Sequence, residues 1–195
     1  MTETIQVLSM LDEIRTIAQN GLEHSDDPYE TRRYEQILDI VSEYYGETLE
    51  MPAEEARGRL REEFGHVTPK VGAAAVVFDE DDRVLLMRRT DTDLWCLPSG
   101  MTDPGESIRE TATRETKEET GLDVEIDQLV GLYESPPGIN GPHHFLGVAY
   151  RCSITGGERE LSHEGDELRY WDHEEVPNWF SDHEEVVRDA YALRE

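Results

Sequence analysis

The stretch whose reading decides this chain is Gly100–Leu122, GMTDPGESIRETATRETKEETGL. Gly105-Glu106-Ser107 reads as a loop entering a helix, with Ser107 as its N-cap. Gly121 supplies the left-handed turn that ends the helix near Thr120. Ile108, Ala112 and Thr116 recur at four-residue steps and form a stripe that would face a sheet. Glu115, Glu118 and Glu119 stand at i, i+3 and i+4, so their carboxylates converge on another face. Three like charges so close destabilise an isolated helix. A divalent cation resolves that conflict, because Mg²⁺ takes carboxylate oxygens and keeps several waters. In a chain this rich in glutamate, an E-x-x-E-E triplet taken alone is still read first as a solvated acidic face.

Around this segment the pattern is strand-like. VGAAAVVF (71–78) and RVLLMRR (83–89) flank the turn-like DEDD and predict a hairpin. Leu94–Leu97 is a short strand-like run ended by Pro98-Ser99-Gly100. After the helix come VEIDQLVGLY (124–133), a Pro/Gly-rich loop SPPGINGPHH (135–144), FLGVAYRCSI (145–154) and ELRYWD (167–172). Ser181-Asp182-His183-Glu184 offers a capping box for a C-terminal helix through Val186, Val187, Ala190 and Tyr191.

Residues 1–66 carry a helical period instead. Ile5, Leu8, Leu11, Ile14 and Ala18 mark one face. Asp27-Pro28-Tyr29-Glu30 reads as a second helix start with Glu30 at the capping-box position, and Gly46 as its end. A third helix fits 53–64 through Ala53, Ala56, Leu60 and Phe64. Three short helices bury little alone, so they require the following domain or a second copy of the chain. The expected division is a helical extension, 1–66, and a mixed strand–helix domain, 67–195.

The chain has 195 residues with 45 acids against 18 Lys+Arg, a formal net charge of −27. Lys70 and Lys117 are its two lysines. The acids are spread along periodic apolar segments, which argues against disorder. Such a surface suits concentrated salt, where a Debye length of about 3 Å screens self-repulsion. The composition is similar to that of halophilic archaeal proteins. No basic stripe is visible, so a nucleic-acid duplex is not an expected partner. No signal peptide or bilayer-spanning apolar run is found, which reads as a cytoplasmic protein without membrane attachment. Cys96 and Cys152 read as buried thiols, not as a disulfide framework.

The decisive segment resembles the Nudix box, G-x5-E-x7-R-E-U-x-E-E-x-G-U, with U a bulky aliphatic residue. Gly100, Glu106, Arg114, Glu115, Glu118, Glu119, Gly121 and Leu122 all fall on its positions. Thr116 departs from the pattern at the first U slot, and Ser99 stands where many members carry a second glycine. The resemblance implies an α/β/α sandwich with a mixed sheet, and hydrolysis of a nucleoside diphosphate linked to a group X with Mg²⁺ or Mn²⁺ as cofactor. By motif position, Glu115, Glu118 and Glu119 become metal ligands, Glu106 a supporting ligand, and Gly100 a backbone carbonyl facing the metal. Arg114 becomes the partner that orients a box carboxylate. The general base is either a box glutamate or a later carboxylate, with Glu164 and Glu167 as candidates.

Trp95, Tyr133, His143 and Arg89 are candidate substrate contacts. The default reading of the two aromatics is core, and that of the His143-His144 pair is an exposed loop. Ile17–Leu22, Asp27–Tyr29 and Arg33–Glu35 resemble the helical extension of a Nudix subgroup that includes bacterial ADP-ribose and CDP-choline pyrophosphatases. That subgroup implies a homodimer. ADP-ribose and CDP-choline are therefore the favoured substrates. The rival reading is a Nudix-fold sensor that binds a nucleotide without hydrolysing it. The intact glutamate set argues against that.

Overall fold

The computed structural model describes residues 2–61, 68–141 and 143–193. They form two compact units, Met1–Lys70 with Ser135–Phe145, and Val71–Glu134 with Leu146–Glu195. The loop 135–145 thus belongs with the helical unit, although chain order places it among the strands.

The first unit holds α1 (Thr2–His24), α2 (Pro28–Thr48) and α3 (Ala53–Arg61). The predicted end of the third helix, with Phe64, lies outside the described residues, as do the side chains of Ile5, Ala53 and Leu60. Asp27 caps α2 by accepting the Tyr29 N–H at 2.8 Å. The capping box expected from Glu30 does not form, because its carboxylate accepts the Ser25 hydroxyl at 2.9 Å instead. Gly46 does not end α2 either: it is buried within the helix, which continues to Thr48. Packing outweighs the roughly 1 kcal/mol that an interior glycine costs a helix. Leu8, Leu11, Val41, Tyr45 and Ala56 make the small core. The Tyr34 ring lies directly over Gly21, where any Cβ would overlap it, so α1 and α2 approach closely. In the 135–145 loop, the His144 carbonyl accepts the Lys70 N–H at 2.9 Å. His143 Nδ1 lies 3.4 Å from Asp12 on α1.

The second unit is built on β1 (Lys70–Val77), β2 (Val84–Arg89), β3 (Trp95–Cys96), β4 (Ser99–Met101), α4 (Ile108–Thr120), β5 (Leu122–Ser135), β6 (Phe145–Gly157), β7 (Gly165–Trp171) and α5 (His183–Ala192). The strands form a four-stranded sheet ordered β4-β1-β6-β5 and a three-stranded sheet ordered β3-β2-β7. The hairpin predicted for β1 and β2 exists only at its turn. The Asp79 N–H bonds the Arg83 carbonyl at 2.9 Å and Phe78 bridges Val84. The two strands then part, because β1 is already flanked by β4 and β6, and β2 by β3 and β7.

Alternation along β1 and β2 sends apolar side chains both ways. Ala74, Val76, Val84 and Leu86 pack with Val186, Val187 and Ala190 of α5. Ala73, Ala75, Val77 and Leu85 pack with Ala112 of α4. Helix, strands and helix therefore stack in three layers. Leu85, Leu86 and Met87 are fully buried, each worth about 1.5–3 kcal/mol of apolar burial.

Candidate functional site

The helix α4 forms where expected. Ser107 caps it, with a complete capping box through Glu110, and Gly121 closes it at φ 74°. Ala112 and Thr116 are fully buried on the sheet side. Thr116, at the aliphatic slot, satisfies its hydroxyl by donating to the Ala112 carbonyl at 2.7 Å. That internal bond is why a hydroxyl is tolerated in the core.

The box carboxylates occupy three different environments. Glu106 accepts Arg114 Nε at 2.8 Å and Arg114 Nη2 at 3.0 Å, with the Thr111 hydroxyl at 2.9 Å and the Asp103 N–H at 3.1 Å. The Arg114 fork holds its pKa down to about 2. Glu115 accepts Arg114 Nη1 at 2.8 Å and lies against Gly100, where a Cβ would overlap its carboxylate. Glu118 is 60% exposed at its side chain and meets the same Nη1 at 3.1 Å. Glu119 is buried and accepts the Ser99 N–H at 3.0 Å. Desolvation pushes its pKa up to about 8, with Glu115 and Glu164 adding to the effect. Burial, followed by Glu118 and Glu164 among its like-charged neighbours, also raises Glu115.

Arg114 thus stands as the common cation of Glu106, Glu115 and Glu118, and it also donates to the Met101 carbonyl at 3.1 Å. Among the described residues, no three acidic, imidazole or thiol side chains are drawn together around one point. The donor set nevertheless fits a hard cation: all-oxygen, acidic and crowded, with a buried carboxylate whose charge is unfavourable as it stands.

The loop after β6 docks on the end of α4. The Glu160 N–H bonds the Thr120 carbonyl at 2.8 Å and the Ser162 N–H bonds the Glu119 carbonyl at 3.2 Å. Backbones cross so closely that a Cβ at Gly157 would run into the Gly121 carbonyl, and one at Gly121 into the Glu158 carbonyl. Farther along, the Glu164 carbonyl accepts both the N–H and the hydroxyl of Thr90, each at 3.0 Å. Glu164 is thereby brought near enough to Glu115 and Glu119 for its charge to raise both. Glu167, the other base candidate, points elsewhere: it lies on β7, 3.7 Å from Arg88 and 3.4 Å from Arg169.

The candidate substrate contacts each have partners of their own. Trp95 is buried in the core, edge-on to Trp171 at 5.0 Å. The Tyr133 hydroxyl donates to Asp189 on α5 at 2.9 Å. His143 belongs to the helical unit, beside Asp12. The charge of Arg89 lowers the Glu119 pKa. A register shift between Arg88 and Arg89 re-aims it, as bulges do. Asp91 grips it at 2.8 and 2.7 Å, and its guanidinium lies 4.8 Å from the Phe180 ring centroid. Thr90, Thr111 and the Ser99 N–H are not marked in the sequence, since a single hydroxyl or backbone amide carries no spacing signal.

The sequence profile of the NUDIX domain matches residues 68–190. The chain belongs to the Nudix family. A second profile, described as a UDP-X-like, N-terminal oligomerisation domain, matches residues 6–58 of this Nudix chain. It is 32% identical to YjhB of Bacillus subtilis, provisionally named an ADP-ribose pyrophosphatase, over 87% of this chain and 82% of that one. It is 29% identical to an ADP-ribose pyrophosphatase of Methanocaldococcus jannaschii, over 64% of this chain and 74% of the relative. Among solved structures, a UDP-X diphosphatase covers 98% of this chain and 97% of its own, at 21% identity and a TM-score of 0.59. That likeness carries the fold. The protein is a Nudix hydrolase, and among the described residues no helix is long and apolar enough to cross a membrane.

Proposed function

We propose that this Nudix hydrolase cleaves the pyrophosphate of ADP-ribose in the presence of Mg²⁺ or Mn²⁺. The observation that carries the reading is the pair of carboxylates turned onto the start of the box, Glu115 against Gly100 and Glu119 on the Ser99 N–H. The ADP-ribose pyrophosphatases among its relatives support the substrate. CDP-choline is the alternative X-linked nucleotide.

Glu115, Glu118 and Glu119 would hold the cation, with the Gly100 carbonyl beside them and Glu106 in support. A bound divalent cation neutralises the dense charge of a pyrophosphate and lowers the pKa of a coordinated water. The chain's own residues do the rest. Arg114 fixes Glu106 and orients Glu115. Glu164 is the candidate base that takes a proton from the attacking water. The water oxygen bonds to one phosphorus, and the bridging oxygen leaves with the other phosphate, giving AMP and ribose 5-phosphate. Arg89, held by Asp91 and acting by its charge on Glu119, is the candidate contact for substrate phosphate. The working form is a homodimer through the helical unit, whose Met10, Ile17, Ile40 and Tyr44 leave apolar surface exposed.

The test is hydrolysis of ADP-ribose, CDP-choline, diadenosine polyphosphates and nucleoside triphosphates in high KCl with Mg²⁺ or Mn²⁺. AMP release from ADP-ribose, lost in Glu118→Gln, is the expected result. Metal-dependent nucleotide binding without turnover of any substrate would overturn it in favour of a sensor.

A further inference from the structure

The chain changes sheets at Leu97. β3 ends at Cys96, paired to Met87 of β2 in the three-stranded sheet. β4 begins at Ser99, paired to Ala74 of β1 in the four-stranded sheet. Leu97 lies between the two ladders and is fully buried. Its N–H needs an acceptor that neither sheet supplies, and a buried amide without one costs about 1–3 kcal/mol.

His183, the first residue of α5, supplies it. Its Nδ1 accepts the Leu97 N–H at 2.9 Å, and the bond is buried. The next peptide groups are then placed in turn. The Leu97 carbonyl accepts the Ser99 hydroxyl at 3.0 Å, and the Pro98 carbonyl accepts the Ala75 N–H at 2.9 Å. The Ser99 N–H reaches Glu119, and Gly100 meets Glu115. α5 is itself anchored to this strand, since the Phe180 N–H bonds the Trp95 carbonyl at 2.8 Å and the His183 N–H bonds the Phe180 carbonyl at 3.2 Å.

We infer that His183 is a positioning residue of the reaction: its Nδ1 fixes the sheet crossing at Leu97 and so sets the Ser99–Gly100 backbone against Glu119 and Glu115. It touches neither substrate nor cation and acts through the backbone. The inference rests on the proposed role of those glutamates.

Asparagine places an acceptor where Nδ1 stands, and glutamine places one where Nε2 stands, out of reach of Leu97. The experiment compares His183→Asn and His183→Gln with the wild-type chain in three readouts. These are Mn²⁺ affinity by titration of the metal alone, kcat and KM for ADP-ribose, and hydrogen exchange of the amides of Leu97, Ser99, Gly100 and Met101. The Asn variant is expected to stay within about threefold of wild type. The Gln variant is expected to lose about tenfold in Mn²⁺ affinity and in kcat at nearly unchanged KM, with faster exchange at Leu97 and Ser99. Equal behaviour of the two variants overturns the inference. A Gln variant that does not fold is replaced by His183→Ser, whose hydroxyl is too short to reach Leu97. A wild-type chain that neither binds Mn²⁺ nor hydrolyses any substrate overturns the functional reading instead. Hydrogen exchange then decides the positioning role alone: faster at Ser99 in Gln than in Asn supports it, and equal rates refute it.

Discussion

The Glu115 carboxylate lies against the Gly100 backbone with no room for a Cβ between them. Gly100→Ala therefore has to push Glu115 aside. The expected outcome is at least a hundredfold loss in kcat/KM, with a melting temperature close to wild type because the displaced group is a side chain at the surface of the core. Steady-state kinetics beside a thermal melt check it.

Glu118 is the most exposed of the three candidate ligands, so its structural role is the smallest. Glu118→Gln is expected to cut turnover at saturating substrate by about a thousandfold. Its metal-free melting temperature should not move measurably. A large change in stability would show that Glu118 serves the fold.

Arg114 neutralises Glu106, Glu115 and Glu118 together. Arg114→Lys keeps one charge but loses the fork that reaches Glu106 through two nitrogens. Both Arg114→Lys and Arg114→Ala should melt lower without divalent cations, the Ala variant more so. Added Mg²⁺ should recover part of the difference, which scanning calorimetry with and without metal would register.

Burial lowers the His183 pKa to about 4. An unfolded histidine takes up its proton as pH falls through about 6.5. Between those values the unfolded chain binds more protons, so the stability His183 contributes is full above about 6.5 and is lost as pH falls toward 4. Asp182 opposes this shift and Arg89 reinforces it. His183→Asn cannot titrate, so the wild-type minus variant difference in melting temperature should shrink or reverse from pH 7 to pH 4.5. A difference that stays constant over that range would remove His183 from the account.

A net charge of −27 repels itself most at low ionic strength. Raising KCl from 0.1 to 3 M is expected to raise the melting temperature, since the Debye length falls from about 10 Å to below 3 Å. Insensitivity to KCl would separate the composition from any need for salt.

The sequence by itself determined the box and the elements around it. Fixed spacing on one helix places Glu115, Glu118 and Glu119 on one face whatever the rest of the chain does, and local bonds set the caps at Ser107 and Gly121. Runs of apolar and β-branched residues likewise made β1, β2 and β6 legible. What the sequence did not carry was every relation between distant segments. VGAAAVVF and RVLLMRR read as a hairpin but serve two sheets, because strand pairing is settled by competition among all available edges. Trp95 and Tyr133 were eligible for substrate and went to the core and to Asp189, because burial depends on what packs opposite. Ser181–Glu184 read as a capping box, yet Asp182 makes no side-chain cap bond and His183 turns inward to Leu97. That last exchange is decided only in three dimensions: an amide stranded between two sheets needs an acceptor, and a residue 86 positions away in sequence is the one that arrives.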